Sequence, residues 1–256
     1  MGRVEGKVAL VTGAASGLGL AASRVLSREG AIVIMTDLDA AQVEKSAAQV
    51  DNARSLVLDV TCESGWERVM ADIEAQHGRL DVLLNSAGVV QLASIEHTST
   101  ELWRKINAVS ADGSFFGCKH ALALMKKQRS GSIINMSSIA SIQGCPQIFA
   151  YAAAKSAVRA MTKSIACLST QEGYGVRCNS IHPGNMDTPM LREVNDTVRR
   201  EDPELADELD RTWVGQPEDI ANMVLFLASD ESKAVNGAAM VVDNTATITP
   251  GAVPRH

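Results

Sequence analysis

The stretch VALVTGAASGLG at residues 8–19 decides the fold. It begins with a short apolar run, Val8–Thr12, and continues with three glycines spaced as Gly-x-x-x-Gly-x-Gly. An apolar run stopped by glycine is typical of a buried strand that ends in a tight turn. Glycines in such a turn let an anionic pyrophosphate approach the N-terminus of the next helix, where backbone N–H groups are free. The loop alone is also compatible with a purely structural turn, so the rest of the chain has to decide.

Apolar runs and helical patterns alternate downstream of this loop. Short buried runs between helices are typical of a parallel sheet that is covered on both faces. No linker, repeat or low-complexity tract interrupts the pattern. The sequence therefore predicts one α/β domain over residues 1–256, a doubly wound parallel sheet of the Rossmann type. The predicted strands are residues 8–12, 32–36, 55–58, 82–84, 132–136, 176–181 and 240–243, and the predicted helices are residues 21–28, 65–76, 151–168 and 217–229.

Residues 185–214 form the least regular part of the pattern. The segment is polar and acidic, and we predict a helix near residues 204–211. Because it follows the end of a predicted strand, it is a candidate lid over a ligand crevice. An exposed surface helix is an equally compatible interpretation.

Composition excludes several classes of protein. The 256-residue chain has a net charge of −6 and no basic stripe, which argues against a nucleic-acid partner. No apolar run approaches the roughly 20 residues that span a bilayer, and residues 1–7 lack the apolar core of a signal peptide. The five cysteines are scattered, and neither they nor the histidines have metal-ligand spacing. We therefore expect a reduced cytoplasmic protein with no metal and no membrane or nucleic-acid partner.

An acidic residue after the second predicted strand specifies the ligand further. Asp37 lies about 20 residues beyond the glycine loop, where a carboxylate binds the ribose hydroxyls of NAD and repels the 2′-phosphate of NADP. Ala14, Ala15 and Leu38 supply no cation that would neutralise such a phosphate. The sequence therefore predicts NAD as the cofactor. Asp59, at the end of the third strand, is either an adenine contact or a turn residue.

Two residues four positions apart, Tyr151 and Lys155, are the candidate acid–base pair. Residues at i and i+4 share one face of a helix, so the ammonium would lie one turn from the phenol. An ordinary phenol has a pKa of about 10, and a nearby cation favours phenolate. Ser138 follows the strand 132–136, at the edge of the sheet where a hydroxyl can hold a substrate oxygen beside the phenol.

Taken together, these motifs resemble the short-chain dehydrogenase/reductase family over nearly the whole chain. Thr12–Gly19 matches its glycine motif, residues 85–88 (NSAG) match its Asn-Asn-Ala-Gly motif, and residues 151–155 match its Tyr-x-x-x-Lys motif. The resemblance implies alcohol–ketone hydride transfer, with Tyr151 as general acid–base, Ser138 polarising the reacting oxygen, Lys155 lowering the Tyr151 pKa and Asn107 holding a relay water. It also implies a homotetramer. The cofactor-binding residues it implies are Gly13, Ser16, Gly17, Leu18, Gly19, Asp37, Leu38, Asp59, Val60, Asn85, Ala87, Gly88, Tyr151, Lys155, Pro183, Gly184, Met186 and Thr188.

Four positions depart from the family pattern: Ser86 replaces an asparagine, Ser141 stands where glycine is frequent, and Asn244 and Thr245 replace two glycines. Segments such as residues 179–183 (NSIHP) and 225–232 (LFLASDES) resemble bacterial 3β/17β-hydroxysteroid and cyclic-alcohol dehydrogenases. This narrower resemblance implies an alicyclic or steroid alcohol. The alternatives are a 3-oxoacyl-carrier-protein reductase, against which Asp37 argues, and an NAD-binding regulator without catalysis. His182, which precedes a proline at a strand end, is interpreted as a structural residue.

Overall fold

The chain winds seven strands and nine α-helices into one parallel sheet with helices on both faces, over the residues 2–249 that the computed structural model describes. Residues 1 and 250–256 of the predicted domain lie outside the described part. The strands are β1 (Val8–Thr12), β2 (Ile32–Asp37), β3 (Ala53–Val57), β4 (Val82–Asn85), β5 (Gly131–Met136), β6 (Val176–Pro183) and β7 (Ala239–Val242). The helices are α1 (Gly17–Arg28), α2 (Ala40–Ala47), α3 (Glu63–His77), α4 (Thr100–Asn107), α5 (Gly113–Gln128), α6 (Phe149–Gln171), α7 (Pro189–Glu201), α8 (Pro203–Asp210) and α9 (Pro217–Ala228).

The strand order is β3-β2-β1-β4-β5-β6-β7, and every neighbouring pair is parallel. The predicted fold class is therefore confirmed. The chain moves outward from β1 in one direction up to β3 and then crosses to β4 on the other side of β1. In open α/β sheets, ligands bind at this reversal, beyond the carboxyl ends of the strands. The topology thus places the glycine loop after β1 in the ligand crevice.

Apolar side chains from the sheet pack into two main cores, one on each face. On one face α1 and α9 cover Val11, Val33 and Leu84, and on the other α3 and α5 cover Leu10, Ile34 and Leu83. Neighbouring residues of one strand therefore point into opposite cores, which is why these strands show continuous apolar runs. Both faces are covered, as expected for a sheet made of βαβ units.

Element boundaries differ from the sequence prediction mainly at helix ends. Helix α1 begins at Gly17, four residues before the predicted start, because the last part of the glycine loop already forms its first turn. In the segment 185–214, α8 lies near the predicted helix, and a second helix, α7, precedes it. The side chain of Thr188 caps α7 by accepting a hydrogen bond from the Leu191 N–H, and Pro189 occupies the first turn. Helices α2, α4 and α5 were not predicted.

No helix within residues 2–249 is both long enough and apolar enough to cross a membrane. The described residues also hold no group of three or more His, Cys, Asp and Glu side chains placed to bind a metal ion.

Candidate active site

A cleft of about 430 Å³ opens at the carboxyl ends of β1, β4, β5 and β6. A separate groove of about 600 Å³ lies at the opposite ends of the strands and contains none of the predicted site residues. The cleft walls include Ser138 and fourteen of the predicted cofactor-binding residues: Gly13, Ser16, Gly17, Leu18, Gly19, Asp37, Ala87, Gly88, Tyr151, Lys155, Pro183, Gly184, Met186 and Thr188.

The glycine loop forms a cradle that accepts an anion. Gly13 and Gly17 have φ values of +63° and +53°, and a Cβ atom on Gly13 would lie 2.8 Å from the Cα of Ala87. Only glycine combines this backbone with so close an approach. Among the described residues, no side chain caps the first turn of α1, although Ser16 stands at its N-cap position. The free N–H groups and the helix dipole therefore face the cleft, and a pyrophosphate fits there.

A threonine hydroxyl connects the two backbone segments beneath the glycine loop. Thr12, almost fully buried at the end of β1, accepts hydrogen bonds from the N–H groups of Ser86 (3.0 Å) and Ala87 (3.1 Å). This contact ties the end of β1 to the loop after β4, so the two sides of the cleft keep a fixed separation. Sequence reasoning took Thr12 only as the first residue of a motif and missed this role.

Asp37 is fixed at the end of β2. Its Oδ2 accepts a hydrogen bond from the Ala15 N–H (3.1 Å), and its Oδ1 accepts one from the Asp39 N–H (3.2 Å). The carboxylate thus joins the glycine loop to the β2 end and remains part of the cleft wall. Its negative charge is held where a ribose would lie.

Several predicted cofactor residues lie outside the cleft walls. Leu38 is 68% exposed, and Asp59 accepts hydrogen bonds from the Thr61 N–H and hydroxyl (2.9 and 2.7 Å) within a turn. Val60 is buried, and its carbonyl accepts a hydrogen bond from the Trp66 indole. Asn85 points into the sheet, where its Nδ2 donates to Asn135 Oδ1 (2.8 Å). Asn85 therefore joins β4 to β5 behind the cleft wall and does not line the cleft.

The three predicted catalytic groups Ser138, Tyr151 and Lys155 come together in the cleft. All three residues line the cleft; Ser138 interacts with the Tyr151 phenol and lowers its pKa, and Lys155 Nζ lies 5.5 Å from the centre of the Tyr151 ring. Lys155 is buried, and its ammonium donates to the carbonyl of Met136 (2.8 Å), the last residue of β5. One contact thus fixes the lysine to the strand end that also carries Ser138.

Burial dominates the proton affinities of this pair. It raises the pKa of the Tyr151 phenol to about 12, and the hydrogen bond with Ser138 opposes the rise. Burial also lowers the pKa of Lys155 to about 8. For the protein without a bound dinucleotide, the prediction that the Tyr151 pKa is lowered is therefore wrong. Withdrawing a phenolate from water raises this pKa by more than the interaction with Ser138 lowers it.

Asn107 does not reach the cleft. It is the last residue of α4, and its Nδ2 donates to the Trp103 carbonyl (2.8 Å) of the same helix. The Asn107 amide therefore turns back along its own helix, and its role in holding a relay water stays a prediction.

Ser110 lies where Asn107 was expected. A short π-helical segment, Ala108–Asp112, follows α4 and holds Ser110 fully buried. A Cβ atom on Gly88 would lie 3.3 Å from Lys155 Nζ and 3.7 Å from Ser110 Oγ, so both groups border the same small space. Within residues 2–249, the Ser110 hydroxyl has no hydrogen-bond partner. π-helical turns are frequent at functional sites. The signal in the sequence was a polar residue one helical turn beyond Asn107.

The cleft also has an apolar wall. Met190, Leu191 and Val194 of α7 line it, together with Val90 and Ile148. The segment predicted as a lid therefore contributes directly to the cleft through α7.

Known proteins resemble the chain along nearly its entire length. A family model described as enoyl-(acyl carrier protein) reductase matches residues 13–247. An NADP-dependent (R)-specific alcohol dehydrogenase of Lentilactobacillus kefiri is 40% identical, over 94% of this chain and 96% of that protein. A cyclopentanol dehydrogenase of a Comamonas species is 38% identical, over 95% and 98%. A 3-beta-hydroxysteroid dehydrogenase of Comamonas testosteroni is 38% identical, over 95% and 96%. The chain belongs to the short-chain dehydrogenase/reductase family of oxidoreductases that act on alcohols and ketones.

Proposed function

We propose that the protein is an NAD-dependent oxidoreductase that interconverts a secondary alcohol, alicyclic or steroidal, and its ketone. The observation that carries the proposal is the contact between Ser138 and the Tyr151 phenol, with Lys155 beside the ring, in a cleft that has an anion cradle. The family supports the reaction class. The cofactor and the substrate are argued separately below.

In the proposed mechanism, the chain supplies orientation and proton transfer. A nicotinamide dinucleotide bound in the cleft would supply the hydride acceptor or donor. Ser138 holds the substrate oxygen, and Tyr151 donates its proton to a ketone or accepts one from an alcohol. Because the Tyr151 pKa is about 12, the phenol keeps its proton at neutral pH. We therefore expect ketone reduction to tolerate neutral pH and alcohol oxidation to accelerate as the pH rises.

The choice of NAD rests on Asp37 and its surroundings. The L. kefiri relative is described as NADP-dependent, so family membership alone does not select the cofactor. In this chain the Asp37 carboxylate is held in the cleft wall, and the side chains of Ala14, Ala15 and Leu38 are apolar. A 2′-phosphate would meet a fixed negative charge and no compensating cation among these residues, which disfavours NADP.

We expect Asp37→Ala to lower the ratio of kcat/KM with NAD to kcat/KM with NADP by roughly 10- to 100-fold. This change is equivalent to about 1.4–2.8 kcal/mol. The variant loses both the ribose acceptor and the repulsive charge. The measurement is kcat/KM with each cofactor. Asp39→Ala is the matched control, because it removes a neighbouring carboxylate that caps α2 and leaves Asp37 in place. A wild-type protein that prefers NADP would overturn the cofactor assignment.

We further propose that Ser110, in place of Asn107, holds a water beside Lys155 that connects the ammonium to solvent. A buried hydroxyl without a protein partner costs about 1–3 kcal/mol unless a water satisfies it. The space bordered by Gly88 and Lys155 Nζ places such a water next to the ammonium. Protons leaving Tyr151 would then have a route through Lys155.

We expect Ser110→Ala to lower kcat by roughly 2- to 10-fold, which corresponds to the net value of one hydrogen bond. The melting temperature should not fall, since the hydroxyl has no partner within the described residues. Ser114→Ala is the control: its hydroxyl donates to the Ser110 carbonyl (2.7 Å), so the variant should lose stability and keep kcat. An unchanged kcat in Ser110→Ala would remove Ser110 from the mechanism.

The apolar wall of Val90, Ile148, Met190, Leu191 and Val194 supports a bulky alicyclic substrate. Relatives described as cyclopentanol and hydroxysteroid dehydrogenases support the same class. The test is a screen of NAD reduction at 340 nm with steroid, alicyclic and linear secondary alcohols, plus a 3-oxoacyl thioester for the reverse direction. A preference for the thioester would favour a carrier-protein reductase. Cofactor binding without turnover of any substrate would favour a regulator.

We also propose that the segment 185–214 closes over bound substrate. The support is that α7 already contributes Met190, Leu191 and Val194 to the cleft wall.

A homotetramer in the cytoplasm remains our proposal as well. Exposed apolar side chains on α4, α5 and α6, namely Trp103, Phe115 and Leu168, support self-association, and five free cysteines support a reducing compartment.

A further inference from the structure

A buried histidine contacts the catalytic serine from behind. His182, at the end of β6, is fully buried and is not part of the cleft wall. Its Nδ1 lies 3.1 Å from the Ser138 carbonyl oxygen and 3.0 Å from Ser141 Oγ, and its Nε2 lies 2.8 Å from Ser180 Oγ. Both ring nitrogens therefore have partners, and one of those partners is the backbone of Ser138.

Ser141 contacts the same carbonyl. Its hydroxyl donates to the Ser138 oxygen (2.7 Å), and its backbone N–H donates to the same oxygen (3.0 Å). The Ser137 hydroxyl donates to the Lys155 carbonyl (2.9 Å), and its oxygen lies 3.1 Å from Ser141 Oγ. A hydrogen-bond network thus links β6, the turn after β5 and the helix that carries Tyr151.

The protonation state of His182 is consistent with this network. Burial lowers the pKa of the imidazole, and the cations Arg159, Lys163 and Lys155 of α6 lower it further, against the hydrogen bond to Ser138. A neutral ring can donate from Nδ1 to the Ser138 carbonyl while Nε2 accepts from the Ser180 hydroxyl. With this tautomer, each ring nitrogen makes one hydrogen bond.

We infer that His182 and Ser141 form a positioning pair: together they fix the Ser138 carbonyl and so aim the Ser138 hydroxyl at the Tyr151 phenol. Ser138 has extended backbone angles (φ −167°, ψ 159°) directly before a short 3₁₀ turn, Ile139–Ser141, so its carbonyl anchors the start of that turn. Glycine, which is frequent at position 141 in the family, would lack the hydroxyl bond. The inference rests on the proposed function, in which Ser138 holds the substrate oxygen.

The first test compares Ser141→Ala and His182→Phe with His182→Asn, whose amide retains a donor near the Nδ1 position. Misplaced catalytic groups reduce rates steeply, by up to about 10²-fold for a shift of 1 Å. We expect Ser141→Ala and His182→Phe to lower kcat by about 10-fold or more, within this limit. The KM for NAD should stay within about twofold, since the pair does not line the cleft, and His182→Asn should recover part of the loss.

The pH profile separates positioning from stability. Because the Ser138 hydrogen bond lowers the Tyr151 pKa, a displaced Ser138 should move the apparent pKa of kcat for alcohol oxidation upward. Ser169→Ala is the control, because Ser169 is buried and bonds the Val176 carbonyl at the far end of β6. It should lower the melting temperature and leave kcat and its pH profile unchanged.

Two outcomes overturn the inference. Wild-type kcat and an unmoved pH profile in both Ser141→Ala and His182→Phe would show that the pair serves stability alone. Crystal structures of wild type and Ser141→Ala add a comparison that needs no turnover: an unchanged contact between Ser138 and the Tyr151 phenol would also refute it. A wild-type protein inactive on every alcohol and ketone would refute the proposed function, and the crystal comparison would still decide on the pair.

Discussion

Tyr151→Phe should abolish measurable turnover, with a loss of about 10²–10⁴-fold, the range that a general acid–base group contributes. The phenol both interacts with Ser138 and lies beside the Lys155 ammonium. Phenylalanine retains the ring and removes the hydroxyl that carries the transferred proton. NADH binding, measured by fluorescence titration, should therefore stay within a few-fold of wild type.

The chain offers a matched control for this variant, since it contains two tyrosines. Tyr174 lies in the turn before β6 and outside the cleft, with the centre of its ring 5.7 Å from Lys126 Nζ. Tyr174→Phe makes the same chemical change at a distance, and we expect full kcat from it. Activity in Tyr151→Phe equal to that of Tyr174→Phe would remove Tyr151 from the reaction and end the enzymatic assignment as argued here.

Lys155→Met should reduce both cofactor affinity and kcat, because the ammonium is assigned two roles. Methionine approximates the volume of the buried side chain and removes its charge and donors. Loss of a hydrogen bond to a charged donor costs about 1.5–3 kcal/mol, so NADH affinity should fall roughly 10- to 100-fold. Without the ammonium, the proposed proton route from Tyr151 through Lys155 is also lost, which should lower kcat in addition.

The pH dependence of NADH binding provides a second signature of Lys155. Because burial lowers the Lys155 pKa to about 8, the free protein loses the ammonium proton as the pH rises through this value. Wild-type affinity should therefore weaken above pH 8, whereas the Lys155→Met affinity should vary little there. Lys45→Met, an exposed lysine on α2, is the control and should match wild type. A change confined to the KM of the alcohol would contradict the dual role.

The fold could be predicted because each local signal in this chain agrees with the sheet. The apolar runs of β1, β2 and β4 are short and end in glycine or polar residues, and Asp37 fell at a strand end as expected. Helices α2, α4 and α5 escaped prediction. Helix α2 is short, and α4 and α5 run into one another through a π-helical segment. That segment disturbs the regular helical period on which such predictions depend.

The part of the candidate site that depends on the spacing of residues along the sequence could be predicted. The properties that depend on burial in the folded protein could not. Tyr151 and Lys155 share a helix face, so their meeting followed from the sequence. The direction of the Tyr151 pKa did not, because it depends on how much water the fold removes from the phenol. Likewise, the π-helical segment places Ser110 beside Lys155, and no local sequence pattern reveals that placement.

The first turn of α1, which has no side-chain cap among the described residues, has a consequence for the life of the protein in a cell. A dinucleotide that binds this turn stabilises the folded chain by mass action, by about 2.7 kcal/mol when it is present at 100 times its dissociation constant. Proteases act on opened chains, so the dinucleotide pool would help to set the amount of enzyme that survives.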